Sequence, residues 1–140
     1  MKILLPVDGS SHSDRAVRNV ISEVNRGAGT QVVLINVQPP IAAPELFGHM
    51  PAYEIEAMQE ARGGDALQSA RVLLDEAGVP YVPAVLIGPV AETIARYAVE
   101  NSCEKIVMGT RGLGAVRSVL MGSVATRVLG LTELPVTLVK

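Results

Sequence analysis

A chain of 140 residues with a formal charge of −2 is long enough to bury roughly two-thirds of its unfolded surface in one core. That charge offers no general attraction for nucleic acids or anionic membranes, which bind clustered Lys and Arg. Apolar residues make up 49% of the chain, yet Phe47 and three tyrosines are its only aromatics, so the expected core of Val, Leu, Ile, Ala and Met suits parallel strands covered by helices. Cys103 is the single cysteine, which excludes an internal disulfide and a cysteine zinc cluster and reads as a small buried filler. A helix and a strand separate His12 from His49 in the pattern, which argues against a histidine metal site. No apolar run reaches the roughly 18 residues of a membrane span, and Met1-Lys2 leads straight into a strand pattern, so a soluble cytoplasmic domain is expected.

Lys2-Ile3-Leu4-Leu5-Pro6-Val7 is a continuous apolar run closed by Asp8-Gly9-Ser10, the pattern of a strand buried on both faces. Ser10 or Ser11 is positioned to cap a helix with Ala16, Val17, Val20, Ile21 and Val24 at helical spacing, ended by Gly27 and Gly29. Gln31-Val32-Val33-Leu34-Ile35-Asn36-Val37 is β-branched and apolar, and four prolines make residues 38–51 a loop. Residues 52–77 read as a helix, with Leu67, Ala70, Leu73, Leu74 and Ala77 on one face, Gly63-Gly64 expected to loosen its middle, and Gly78 as its stop. A third strand covers 81–87. Gly88-Pro89 then opens a helix carrying Val90, Ile94, Tyr97 and Ala98. A fourth strand covers 104–108, a loop 109–121 follows, a helix carries Val124, Val128 and Leu131, and the last strand is Pro135-Val136-Thr137-Leu138-Val139-Lys140.

Strands alternating with helices imply an α/β domain with an open, doubly wound parallel sheet, because right-handed crossovers return each strand in the same direction. In such sheets ligands bind beyond the carboxyl ends of the strands where the strand order reverses, so the loops after the first and fourth strands are the places to look. The fourth loop reads Gly109-Thr110-Arg111-Gly112-Leu113-Gly114, and Gly122-Ser123 opens the last helix. Glycines allow backbone N–H groups to approach an anion, Ser123 offers a hydroxyl, and a helix N-terminus supplies unpaired donors. From Lys105 to Thr132 there is no acidic residue, whereas Lys105, Arg111, Arg117 and Arg127 all fall there, so an electropositive site for an oligophosphate is expected. The blander reading is tight turns beside a solvated basic face. Asp8 could accept a ribose hydroxyl or help hold hydrated Mg²⁺, or the Asp8-Gly9-Ser10 turn could be a plain helix cap.

Taken together, Leu5-Pro6-Val7-Asp8-Gly9-Ser10, Val107-Met108-Gly109-Thr110-Arg111-Gly112, the spacing Gly-x-x-Gly-x9-Gly-Ser and the closing Leu134-Pro135-Val136-Thr137-Leu138-Val139-Lys140 resemble the ATP-binding branch of the universal stress proteins. The resemblance runs the length of the chain and implies a single domain over 1–140. It also implies a Rossmann-like, adenine nucleotide alpha hydrolase-like fold with strand order 3-2-1-4-5 and helices on both faces. It further implies an adenine nucleotide as ligand, ATP or else ADP or AMP, with Mg²⁺ or Mn²⁺ as an accompanying ion. By position, Pro6, Val7 and Met108 would line the adenosine pocket and Asp8, with the Gly9-Ser10 turn, would face the adenosine. Val37 would meet the adenine edge through its backbone, and Gly109, Arg111, Gly112, Gly122, Ser123 and Val124 would surround ribose and phosphates. Homodimerisation through the last strand, from Pro135 to Lys140, and a regulatory protein that reads the nucleotide state are implied as partners.

The Walker Gly-Lys-Ser/Thr sequence and the kinase signatures are absent, so a binding module is expected ahead of a slow ATP-hydrolysing or phosphoryl-transfer enzyme, for which Asp8 and Arg111 are the candidates. A nucleotide-free dimeric scaffold is a further alternative. A flavodoxin-like carrier is disfavoured because aromatics able to sandwich a flavin are nearly missing.

Overall fold

The computed structural model describes residues 1–27, 29–41, 48, 50–112 and 121–140. Phe47, His49, Gly114, Arg117 and most of the loops at 38–51 and 109–121 that carry them lie outside the described residues. Nine elements alternate among the described residues: β1 Lys2–Pro6, α1 Ser11–Arg26, β2 Gln31–Gln38, α2 Ala52–Glu76, β3 Tyr81–Ile87, α3 Val90–Glu100, β4 Lys105–Gly109, α4 Ser123–Leu131 and β5 Val136–Val139. The five strands form one parallel sheet in the order β3-β2-β1-β4-β5.

The central strands read as unbroken apolar runs because both of their faces are covered. On one face Ile3, Leu5 and Val7 meet Ala16, Val17 and Val20 of α1 and Leu67, Ala70 and Leu74 of α2. On the other, Leu4, Ile35, Ile106 and Met108 meet Ala91, Ile94 and Ala98 of α3 and Ala125 and Val128 of α4. The side-chain period of two along a strand sends neighbouring residues to opposite layers, so one run of leucines and isoleucines serves two cores. Cys103 belongs to the second layer, 5% exposed. Burial pushes its thiol above the ordinary value, against a weaker opposing pull from Lys2, which keeps it a protonated core filler.

Ser10, not Ser11, caps α1: its side chain accepts from the Ser13 N–H at 3.2 Å, satisfying one of the unpaired first-turn donors. The expectation for Gly63-Gly64 needs correcting, since α2 runs through both without a break. A Cβ on Gly63 would lie 2.3 Å from Val85 Cγ1, so this glycine is where the helix presses onto β3. Gly64 faces open space. The two glycines should therefore respond oppositely in chemical denaturation. Gly63→Val overpacks the helix–sheet contact and is expected to cost about 1–3 kcal/mol, whereas Gly64→Ala gains helix propensity of about 0.5–1 kcal/mol.

Candidate functional site

Beyond the carboxyl ends of β1, β2 and β4 the structure opens a cleft of about 610 Å³, a size typical of small-molecule sites. It lies at the reversal point of the sheet, where β1 is flanked by β2 on one side and β4 on the other. Pro6, Val7, Asp8, Val37, Met108, Gly109, Arg111, Gly112, Gly122, Ser123 and Val124 all line it. Gly9 and Ser10 do not. Gly9 sits at φ +84° with α2 so close that a Cβ would meet the Ala66 Cα at 3.3 Å, and Ser10 is turned inward as the α1 cap. Their part is to fix Asp8.

Asp8 is held by that turn. Its Oδ1 accepts from the Ser10 N–H at 2.9 Å and from the Ser13 hydroxyl at 2.8 Å, and the Ser13 oxygen in turn accepts from the Asp8 N–H at 3.0 Å. Ser13 thus lines the cleft in the place expected of Ser10. The other carboxylate oxygen, Oδ2, lies against Gly112, where a Cβ would come within 2.4 Å of it. The loops after β1 and β4 are therefore in direct contact, and Gly112 is the residue that permits it.

The far wall is made by the end of β4 and the start of α4. Gly109 packs on α1 so tightly that a Cβ would stand 2.9 Å from the His12 carbonyl oxygen. Gly122 donates its N–H to the Thr110 carbonyl at 2.5 Å and is the N-cap of α4, with no side chain closing the helix end. The first-turn N–H groups of Ser123, Val124 and Ala125, all cleft-lining residues, are among the donors a helix leaves without an intrahelical partner. The Nε of Arg111, at the same wall, is buried with no hydrogen-bond partner. Uncapped helix donors and Arg111, whose buried Nε has no hydrogen-bond partner, belong to the same wall, groups suited to an anion.

The expected general basicity of this segment needs correction. Lys105 is paired with Glu23 of α1 at 2.5 Å, and Arg127 with Glu92 of α3, so neither charge is spent on the cleft. A hydrogen bond from its own backbone N–H, then the Arg127 guanidinium, holds the Glu92 carboxyl below its usual range. Arg111 is the cation of the four that the structure brings to the cleft, Arg117 lying outside the described residues.

The opposite end is built by β2. Asn36, Gln38, Pro39, Val90 and Ile94 line it and were missed in the sequence, although Asn36 as a lone polar residue inside an apolar strand was a usable signal. Asn36 is 3% exposed and its Nδ2 donates to the Val7 carbonyl at 2.8 Å. Backbone groups of β2 turn alternately to its two neighbours: the Ile35 carbonyl accepts from Val7 on the β1 side at 2.9 Å, and the Gln38 carbonyl from Gly88 on the β3 side at 3.0 Å. Val37 therefore faces the β1 side, past the last β1 pair, Pro6 with Ile35, so its N–H and C=O turn toward the cleft.

Among the described residues no group of three or more His, Cys, Asp or Glu side chains is arranged to hold a metal ion, and no helix is long and apolar enough to cross a membrane.

Fold and cleft define a doubly wound α/β domain whose switch point is lined on one side by the glycines and uncapped start of α4 and on the other by the end of β2. The model of the Universal stress protein family matches residues 1–140. A universal stress protein of Thermus aquaticus is 33% identical over 139 residues, covering 99% of this chain and 97% of the relative. Among solved structures, the universal stress protein UspA from Lactobacillus plantarum superposes with a TM-score of 0.82 at 20% identity, over 100% of this chain and 97% of that one. The universal stress protein from Archaeoglobus fulgidus in complex with dAMP gives a TM-score of 0.69 at 23% identity, over 100% and 98% of the two chains. The chain belongs to the universal stress protein family.

Proposed function

We propose that this domain binds an adenine nucleotide, ATP in the first instance, in the cleft between β2 and α4, and works as a cytoplasmic stress-response module whose nucleotide state is read by a partner. The observation that carries the reading is the wall where the uncapped N-terminus of α4, the backbone around Gly109, Gly112 and Gly122, and the unsatisfied Arg111 Nε converge. Three features so arranged accept a chain of phosphates. A phosphate seated there directs the base toward β2, where the Val37 backbone offers one donor and one acceptor and Pro6, Val7 and Met108 supply apolar surface. Asp8, between the two ends, faces the ribose. The family relative from Archaeoglobus fulgidus, solved with dAMP, supports the same occupant here.

Asp8 is the one carboxylate among the described lining residues, and its Oδ1 already holds two hydrogen bonds. An Mg²⁺ or Mn²⁺ ion would accordingly be held by phosphate oxygens and water, with Asp8 as its protein-side anion, and would neutralise phosphate charge.

Calorimetric titration of nucleotide-stripped protein with Mg-ATP, then AMP and cyclic AMP, tests the reading. Micromolar ATP binding is expected, and no binding to any of the three overturns it. Phosphate release at no more than the background rate would place the domain with binding modules rather than enzymes. We also propose a homodimer through β5, an edge strand that among the described residues pairs on its β4 side alone; sedimentation at the monomer mass across a concentration series would overturn that.

A further inference from the structure

The β2 end of the cleft carries a hydrogen-bond chain with a fixed direction. The Val7 carbonyl can only accept, so it orients the Asn36 amide with Nδ2 toward it at 2.8 Å. Asn36 Oδ1 is then the acceptor on the other side, and Gln38 Nε2 donates to it at 2.6 Å. A backbone carbonyl thereby decides, through a buried asparagine, which way a cleft-lining glutamine points. The nitrogen branch of the Gln38 amide is committed to Asn36. Its Oε1 accepts no hydrogen bond among the described residues and is not among the buried unsatisfied atoms, so it is the group presented to the half-open space that Gln38 lines.

Resting on the nucleotide reading above, we infer that Gln38 is a specificity-determining residue that favours a purine carrying an exocyclic amino group over one carrying a keto group. The β2 end then holds two acceptors, the Val37 carbonyl and Gln38 Oε1. An amino group has two hydrogens and can satisfy both. A keto oxygen has none and would leave both acceptors desolvated and unpaired, which is how a binding site rejects the wrong partner. Because the glutamine is oriented by Asn36 and Val7, it cannot rotate its amide to suit a keto group without breaking the chain behind it.

ATP and inosine triphosphate differ at this one substituent and at the neighbouring ring proton it dictates, so the pair isolates the effect. Both nucleotides would be titrated into the wild type and into Gln38→Met, which keeps length and removes both amide atoms. The wild type is expected to prefer ATP, and Gln38→Met to lose about 5- to 10-fold in ATP affinity while inosine triphosphate binds as well as before or better, the unpaired acceptor being gone. Retained binding of inosine triphosphate also certifies that the variant is folded. An equal fall for both nucleotides would make Gln38 a mere wall of the site and overturn the inference, as would no change for either. A wild type that binds neither nucleotide would overturn the nucleotide reading itself and this inference with it.

Discussion

Gly122→Val is expected to abolish nucleotide binding while the domain stays folded. The backbone at Gly122, with φ −71° and ψ 162°, is one that any residue adopts, so conformational strain is not the issue. Space is. A Cβ there would stand 3.3 Å from the Arg111 Cα and 3.4 Å from the Thr110 carbonyl oxygen, already tight, and the two further methyls of valine must go into the Arg111–Gly112 backbone or into the cleft. Either direction displaces the N-terminus of α4 from the loop after β4. Losing two or three hydrogen bonds to a charged ligand, each about 1.5–3 kcal/mol, corresponds to at least about 100-fold in affinity. Gly122→Ala should fall between, because a single methyl asks its neighbours to yield only slightly. Calorimetry with Mg-ATP, alongside a circular dichroism melt, separates loss of site from loss of fold. A Gly122→Val protein that binds ATP as the wild type does would mean that the phosphates do not lie at α4.

The second large effect is expected at Asp8, where two substitutions divide support from binding. Asp8→Asn keeps an oxygen for the Ser10 N–H and the Ser13 hydroxyl, so the turn and the α1 cap stay intact, but it replaces the oxygen beside Gly112 with a donor and removes the negative charge. ATP affinity is expected to fall by about 10- to 100-fold, the value of a hydrogen bond to a charged group. Asp8→Ala should lose the binding and also about 1 kcal/mol of stability, since the turn before α1 loses its acceptor. Equal ATP affinity in Asp8→Asn and wild type would remove Asp8 from the ribose and return it to the role of a turn former.

Much of this site was legible because its parts are local in sequence. The apolar runs from Lys2 and from Gln31 read as buried strands since a strand covered on both faces has no polar side to interrupt the pattern. The glycines at 109, 112 and 122 with Ser123 stood out by spacing, and the switch-point rule for doubly wound sheets joined them to Asp8. What failed did so where a role depends on contacts that the residue pattern does not encode. Ser10 and Ser13 lie one helical turn apart, and composition cannot say which is the cap and which lines the cleft; the entry angle of α1 decides it. Lys105 and Arg127 looked like part of a basic site until Glu23 and Glu92, far away in sequence, were found against them.

The sequence by itself therefore determined the class of fold, the parallel sheet and the place of the glycine-lined wall of the cleft, because hydrophobic period and glycine spacing act over a few residues. The tertiary structure alone decided which cations remain for a ligand, why Gly63 is a contact and Gly64 is not, and how the Val7 carbonyl orients Asn36 and Gln38 from β1 across to β2. Those outcomes rest on contacts between elements whose distance in space the chain order does not encode.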